Sequence, residues 1–137
     1  MRAFVDTSSL FKKYVEEHGS QALDRLLKDA SEIAVSPVTW VEMNAVIARR
    51  VRNHSLTAEQ AGWLTSEVRK DFQSFHRVVW NEALEMTTTR LIARYPLSTL
   101  DAIQLASGVL SKSDLFVTSD RRLFEEARKE VRRAVCV

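Results

Sequence analysis

The chain has one cysteine, Cys136, in 137 residues. A single thiol excludes an internal disulfide and any cysteine-rich metal site, and suits a reducing cytoplasm. Histidine is also scarce. His18, His54 and His76 form no HExxH or three-ligand pattern, so no zinc set is legible. No apolar run approaches the roughly 18 residues needed to span a bilayer. Asp6 and Lys12 interrupt the first stretch that would resemble a signal peptide. Neither sign of charge dominates: 20 Lys and Arg against 18 Asp and Glu give a net charge of +2. Any preference for a polyanion must therefore come from local clustering. No internal repeat, long linker or low-complexity tail is present, nor a GxxxxGK[ST] phosphate cradle. The length predicts one domain spanning 1–137.

What is present begins with Arg2–Asp6, an apolar run, Ala3, Phe4 and Val5, that ends on a carboxylate. An unbroken apolar run reads as a strand covered on both faces. Ser8 or Ser9 is the predicted cap of a helix to about Glu17, with Gly19 as its stop. Ser20 caps the next helix, and Glu32–Ser36 reads as a second strand before Pro37. Thr39 with Glu42, and Thr57 with Gln60, both match capping boxes. They predict two helices joined at Asn53–Ser55 with no strand between them, a hairpin standing out from the sheet.

Phe75–Trp80 predicts a third strand, and Asn81 caps a helix that must end before Pro96. Ser98 with Asp101 opens a further helix, whose small residues Ala102, Ala106 and Ser107 permit close approach to another element. Leu115–Thr118 reads as a buried strand, Arg121–Glu130 as a helix and Val131–Val137 as an edge strand. Strands interleaved with helices predict an α/β/α three-layer domain on a central, mostly parallel five-stranded sheet.

Four acids stand at comparable places in this pattern. Asp6 and Asp120 each follow a strand, while Glu42 and Asp101 each fall in the first turn of a helix. In a parallel sheet all four positions can lie at the carboxyl edge, where open α/β sheets bind ligands. Clustered carboxylates raise one another's proton affinity, and a hard divalent cation, Mg2+ or Mn2+, relieves that conflict. Capping gives Glu42, Asp101 and Asp120 a purely local explanation. A cap at Ser8 or Ser9 leaves Asp6 without one.

The segments FVDTSSL, LDAIQLA around Asp101 and FVTSDRRL around Asp120, with Glu42 between them, resemble the PIN-domain family over essentially the whole chain. The likeness is strongest to the VapC-type toxin ribonucleases of toxin–antitoxin pairs. It implies a metal-dependent endoribonuclease, homodimerisation and inhibition by a small VapB-like antitoxin. The family's acidic positions fall on Asp6, Glu42, Asp101 and Asp120. Thr7 and Ser8 match the polar segment behind the first acid; Thr118 and Ser119 match the one before the last. Gln104 stands where the family often has histidine, and Ser119 where it often has a larger residue; these differences bear on substrate recognition.

On this reading Asp6 and Asp101 are direct ligands, Asp120 is direct or water-mediated, and Glu42 completes the shell or orients a water. Ser8, Thr118 and Ser119 are placed to position water or phosphate. Arg49, Arg50 and Arg52, with Lys70 and Arg69, are candidate contacts to the RNA backbone, as are Arg121 and Arg122. Phe11, Tyr14, Leu23, Trp40, Trp63 and Phe72 are candidates for a dimer or antitoxin surface. The competing reading is a non-catalytic binding or regulatory module whose acids are caps and a metal staple. A phosphatase of the haloacid dehalogenase type fits less well, since DTSSL lacks a second nearby aspartate.

Overall fold

The computed structural model describes residues 1–137. Five strands form one sheet in the order β3-β2-β1-β4-β5. They are β1 (Arg2–Val5), β2 (Glu32–Val35), β3 (His76–Arg77), β4 (Leu115–Thr118) and β5 (Ala134–Cys136). Every neighbouring pair is parallel. From β1 the chain builds outward through β2 and β3, then returns to the other side of β1 for β4 and β5. The order therefore reverses between β1 and β4, and the carboxyl ends of those two strands border the crevice.

Seven helices cover the sheet: α1 (Thr7–Leu10), α2 (Ser20–Lys28), α3 (Thr39–Arg52), α4 (Ala58–Phe72), α5 (Glu82–Arg94), α6 (Thr99–Leu110) and α7 (Arg121–Ala127). The layers follow from strand alternation, since successive side chains point to opposite faces. Ala3 and Val5 of β1 pack with Leu10, Leu23, Met43, Ile47, Leu64, Val68 and Phe72 from α1 to α4. Phe4, between them, packs with Leu84, Leu91, Leu105, Ala106 and Leu123 from α5 to α7. On that second face the Phe4 and Phe116 rings stack, centroids 5.2 Å apart.

Helix α6 packs tightly on the sheet at Gly108. A methyl group at Gly108 would lie 2.5 Å from the Phe116 ring, so only glycine fits there without a shift. No helix is long and apolar enough to cross a membrane.

Local signals set several boundaries as predicted. Thr57 and Gln60 make the full capping box of α4, and the Asn81 side chain accepts from the Leu84 N–H. The α3–α4 hairpin has an exposed turn at Asn53–Ser55, but its base is core. Met43, Ile47, Leu64, Val68 and Phe72 are all buried there.

Other boundaries differ from expectation. The first helix is capped by Asp6 itself and ends as a single 3-10 turn, Phe11–Lys13. Gly19, at φ +93°, sits at the N-cap of α2 rather than closing the helix before it. The third strand shrinks to His76–Arg77, leaving Val79 and Trp80 exposed. Edge position explains this: β3 has one neighbour, so little pairing extends it. Phe11, Leu23 and Phe72 are buried in the core, and of the expected docking aromatics only Trp63 is strongly exposed, at 60%.

Candidate active site at the carboxyl edge of the sheet

Asp6 follows β1 at the point where the strand order reverses. Its N–H donates to the Val117 carbonyl at 3.0 Å, which fixes the end of β1 to the end of β4. The side chain is 3% exposed. Oδ1 accepts from the Ser9 N–H at 2.9 Å and from the Ser8 hydroxyl at 2.8 Å, and Oδ2 accepts from the Thr118 hydroxyl at 2.6 Å. No cation lies among these partners. Burial pushes the Asp6 carboxyl up to about 6, although its hydrogen bonds act in the opposite direction.

The polar residues around it knit two loops together. The Ser119 N–H donates to Ser8 Oγ at 3.1 Å, the Ser9 and Ser119 hydroxyls lie 3.0 Å apart, and the Asp120 N–H donates to Thr118 Oγ1 at 3.0 Å. Ser8, Thr118 and Ser119, expected to meet water or phosphate, therefore already have partners that orient Asp6 and its loop. Asp120 caps α7, accepting from the N–H groups of Arg122 and Leu123 at 2.8 and 3.2 Å. Asp101 sits one turn into α6, its N–H donating to Ser98 Oγ at 3.2 Å. Partial burial first, and the nearby charge of Asp120 second, raise the Asp101 carboxyl above the usual carboxylate range.

Glu42 departs from its expected local role. Helix α3 begins after Val38 with no side-chain cap, so Glu42 is not half of a capping box. Its Oε1 instead accepts from the Thr7 hydroxyl at 3.0 Å and from Gln104 Nε2 at 2.7 Å. Gln104 Nε2 also reaches Thr7 Oγ1 at 2.9 Å and Thr39 Oγ1 at 3.3 Å, while Gln104 Oε1 is buried without a partner. A carboxylate only accepts hydrogen bonds, so the amide nitrogen must face Glu42.

Gln104 was expected to bear on substrate recognition. It is 3% exposed and donates to the acid Glu42. Gln104 lies three residues after Asp101, on the same side of α6. That spacing was the available signal, but a glutamine carries no charge to draw attention to it.

The four acids thus share one edge but are tied in pairs: Asp101 with Asp120 by charge, Asp6 to the Thr118–Asp120 loop, and Glu42 to Thr7 beside Asp6. No three Asp, Glu, His or Cys side chains converge into a group able to hold a metal ion by themselves. The donor set is nonetheless suited to a hard cation: oxygen only, with two carboxyls whose proton affinity is raised first by burial. Mg2+ is commonly held by one or two carboxylates, with waters and substrate phosphate completing its shell. Asp6, Asp101 and Asp120 are the residues placed to supply them.

A cleft of about 430 Å³ leads away from the acids, lined by Thr7, Ser8, Glu42, Arg49, Arg50 and Leu100 among others. The arginines differ in their availability. Arg50 pairs with Glu17 at 3.2 Å and lies over the Phe11 ring at 4.4 Å. Arg49 faces the cleft, is exposed and has no ion pair; Arg52, Arg121 and Arg122 are likewise exposed and unpaired. Lys70 pairs with Glu67 at 3.1 Å.

Three comparisons place this arrangement. No curated protein matches the sequence. Among solved structures, FitAcB from Neisseria gonorrhoeae is similar with a TM-score of 0.73 at 12% identity, covering 97% of this chain and 96% of that one. PAE2754 from Pyrobaculum aerophilum gives 0.70 at 20% identity, covering 97% and 89%. A toxin–antitoxin complex from Klebsiella pneumoniae gives 0.66 at 20%, covering 89% of each chain. The family description "PIN domain" matches residues 3–130, a span that takes in all four acids and every strand but the last, and this chain belongs to the PIN domain family.

Proposed function

We propose that the chain is a divalent-metal-dependent endoribonuclease and the toxin of a toxin–antitoxin pair. The observation that carries this reading is the position of Asp6. A nearly inaccessible carboxylate with no basic partner is held at the strand-order reversal of a PIN domain, with Asp101, Asp120 and Glu42 on the same edge. A buried, uncompensated charge is costly, and a site that binds a cation gives it a use.

Mg2+ or Mn2+, when bound, would neutralise charge on the phosphate and lower the proton affinity of water. The chain's own residues do the rest. Asp6 is held in one orientation by Ser8, Ser9 and Thr118, so its oxygens need not reorganise. Asp101 and Asp120, near enough for the charge of one to act on the other, offer further oxygen donors. Glu42, fixed through one oxygen by Thr7 and Gln104, is placed to orient a water with the other. Arg49 offers an unpaired guanidinium along the adjoining cleft for the RNA backbone.

Similarity to the toxin–antitoxin complex from Klebsiella pneumoniae supports a small VapB-like antitoxin as partner. A homodimer in the cytoplasm completes the reading. The test is RNA cleavage by the purified chain and its Asp6→Asn variant in Mg2+, Mn2+ and chelator. Wild-type cleavage should vanish with chelator and return with excess cation, while the variant, still folded, loses most turnover. Equal turnover in the variant would remove Asp6 from the mechanism.

One observation favours a non-catalytic module instead: Asp6 and Asp120 both make capping hydrogen bonds that need no metal. That reading predicts no cleavage of any RNA with either ion, in a chain that still folds.

A further inference from the structure

A second cleft, of about 390 Å³, lies beside the edge strand β3 and is lined by Trp40, Arg69, Phe72, Gln73 and Arg77. Its floor is aromatic, with Trp40 and Phe72 meeting edge to face, centroids 5.4 Å apart. The Arg69 guanidinium lies 5.5 Å from the Trp40 ring, and the Arg77 guanidinium 5.5 Å from the Phe72 ring. No acid lines the cleft, and neither arginine has an ion-pair partner. Two guanidinium groups held over aromatic rings, facing one cleft without a counterion, make a preformed anion site. Planar guanidinium groups match phosphate oxygens in geometry as well as charge.

The fold places this cleft usefully. His76 and Arg77 pair with Ala34 and Val35, the carboxyl-end half of β2, and Trp40 opens the helix that leaves β2. The cleft therefore flanks the edge of the sheet that carries Asp6, and β3 is two strands, or about 10 Å, from β1.

We propose that this cleft binds single-stranded RNA a few nucleotides from the bond presented to Asp6. Arg69 and Arg77 would hold successive phosphates, and a base would stack on the Trp40–Arg69 surface. Phosphate contacts beside a stacking platform are how single strands are held without regard to sequence. An acidic peptide would use the guanidinium groups but leave the aromatic floor without a role. The inference rests on the ribonuclease reading for its ligand class.

The test separates the two. In the full chain carrying Trp63→Phe and Trp80→Phe, Trp40 is the only tryptophan left to report. With Asp6→Asn added to prevent turnover, a short unstructured RNA should quench its emission. Arg69→Gln with Arg77→Gln should abolish the quench and weaken RNA binding about tenfold at low salt. The slope of log affinity against log salt should fall by about 1.4, the value for two single-strand phosphate contacts. Both side chains are exposed, so the melting temperature should hold. In the active chain the same pair should raise KM for the longer RNA more than it lowers kcat.

RNA affinity and salt slope unaltered by the double variant would overturn the proposal. So would intact RNA affinity combined with loss of a protein partner, which would assign the cleft to that partner. Binding that depends on Arg69 and Arg77 in a chain that cuts no RNA would support the cleft and refute the ribonuclease reading.

Discussion

At the scale of single residues, Asp6 combines a structural and a chemical role. It is the N-cap of α1 and also the most buried acid of the site. Burial pushes its carboxyl up to about 6 in the folded chain, against about 3.9 in the unfolded one. Between those values the folded chain binds more protons than the unfolded one, so stability falls as pH rises through that window. The loss by pH 7 is on the order of 3 kcal/mol. Thermal melts in chelator from pH 4 to 7 should show the wild type losing stability relative to Asp6→Asn, which has no such group. A difference that does not change with pH would place the Asp6 titration elsewhere. Adding Mg2+ should narrow the gap at pH 7.

Gln104 makes a sharper point about local environment. Replacing it with glutamate keeps the shape but sets a second carboxyl against Glu42 Oε1 in a buried network, and an unpaired buried charge costs about 3–5 kcal/mol. Gln104→Glu should therefore melt well below wild type at neutral pH and recover at low pH, where the acids are protonated. Gln104→Leu removes the unpartnered Oε1 together with the donor, and should cost less.

At the scale of elements, the capping signals that held were those with no competing partner. Thr57 and Gln60 lie on the exposed hairpin, where nothing but the local backbone is within reach. Thr39 and Glu42 have the same spacing, but Gln104 and Thr7 offer their side chains tertiary hydrogen bonds, and the box does not form. Ser8 and Ser9 failed as caps for a related reason: Asp6 already satisfies the Ser9 N–H. The small residues of α6 were legible as a close-packing face; that Gly108 is the tightest point depends on where the Phe116 ring falls. Gly108→Ala should cost about 1–3 kcal/mol through overpacking, read as a lower denaturant midpoint. Thr57→Ala on the exposed cap should cost about 1 kcal/mol and leave RNA cleavage unchanged.

At the scale of the whole molecule, a chain with a net charge of +2 would have to build the proposed RNA contacts from local charge. Counting arginines in sequence treats Arg49 and Arg50 alike, yet one faces the cleft unpaired and the other is held by Glu17 and Phe11. Arg49→Glu should weaken RNA association more at low salt than at high salt. Arg50→Glu should also lower the melting temperature, because it sets a like charge against Glu17. Binding isotherms at two salt concentrations, with melts alongside, check both.

The sequence by itself determined the layered fold and the edge that carries the acids. Unbroken apolar runs specify buried parallel strands, and the polar segments after the first and fourth strands bring Asp6 and Asp120 to the carboxyl side. It also carried the family likeness, because the acidic motifs lie in segments whose order the chain fixes. Only the tertiary structure decided what those acids do locally. Hydrogen bonds such as Gln104 to Glu42 and Thr118 to Asp6 join residues 62 and 112 positions apart. Burial of Asp6 arises from packing β1 against β4, and no local pattern encodes a contact between segments so distant in the chain.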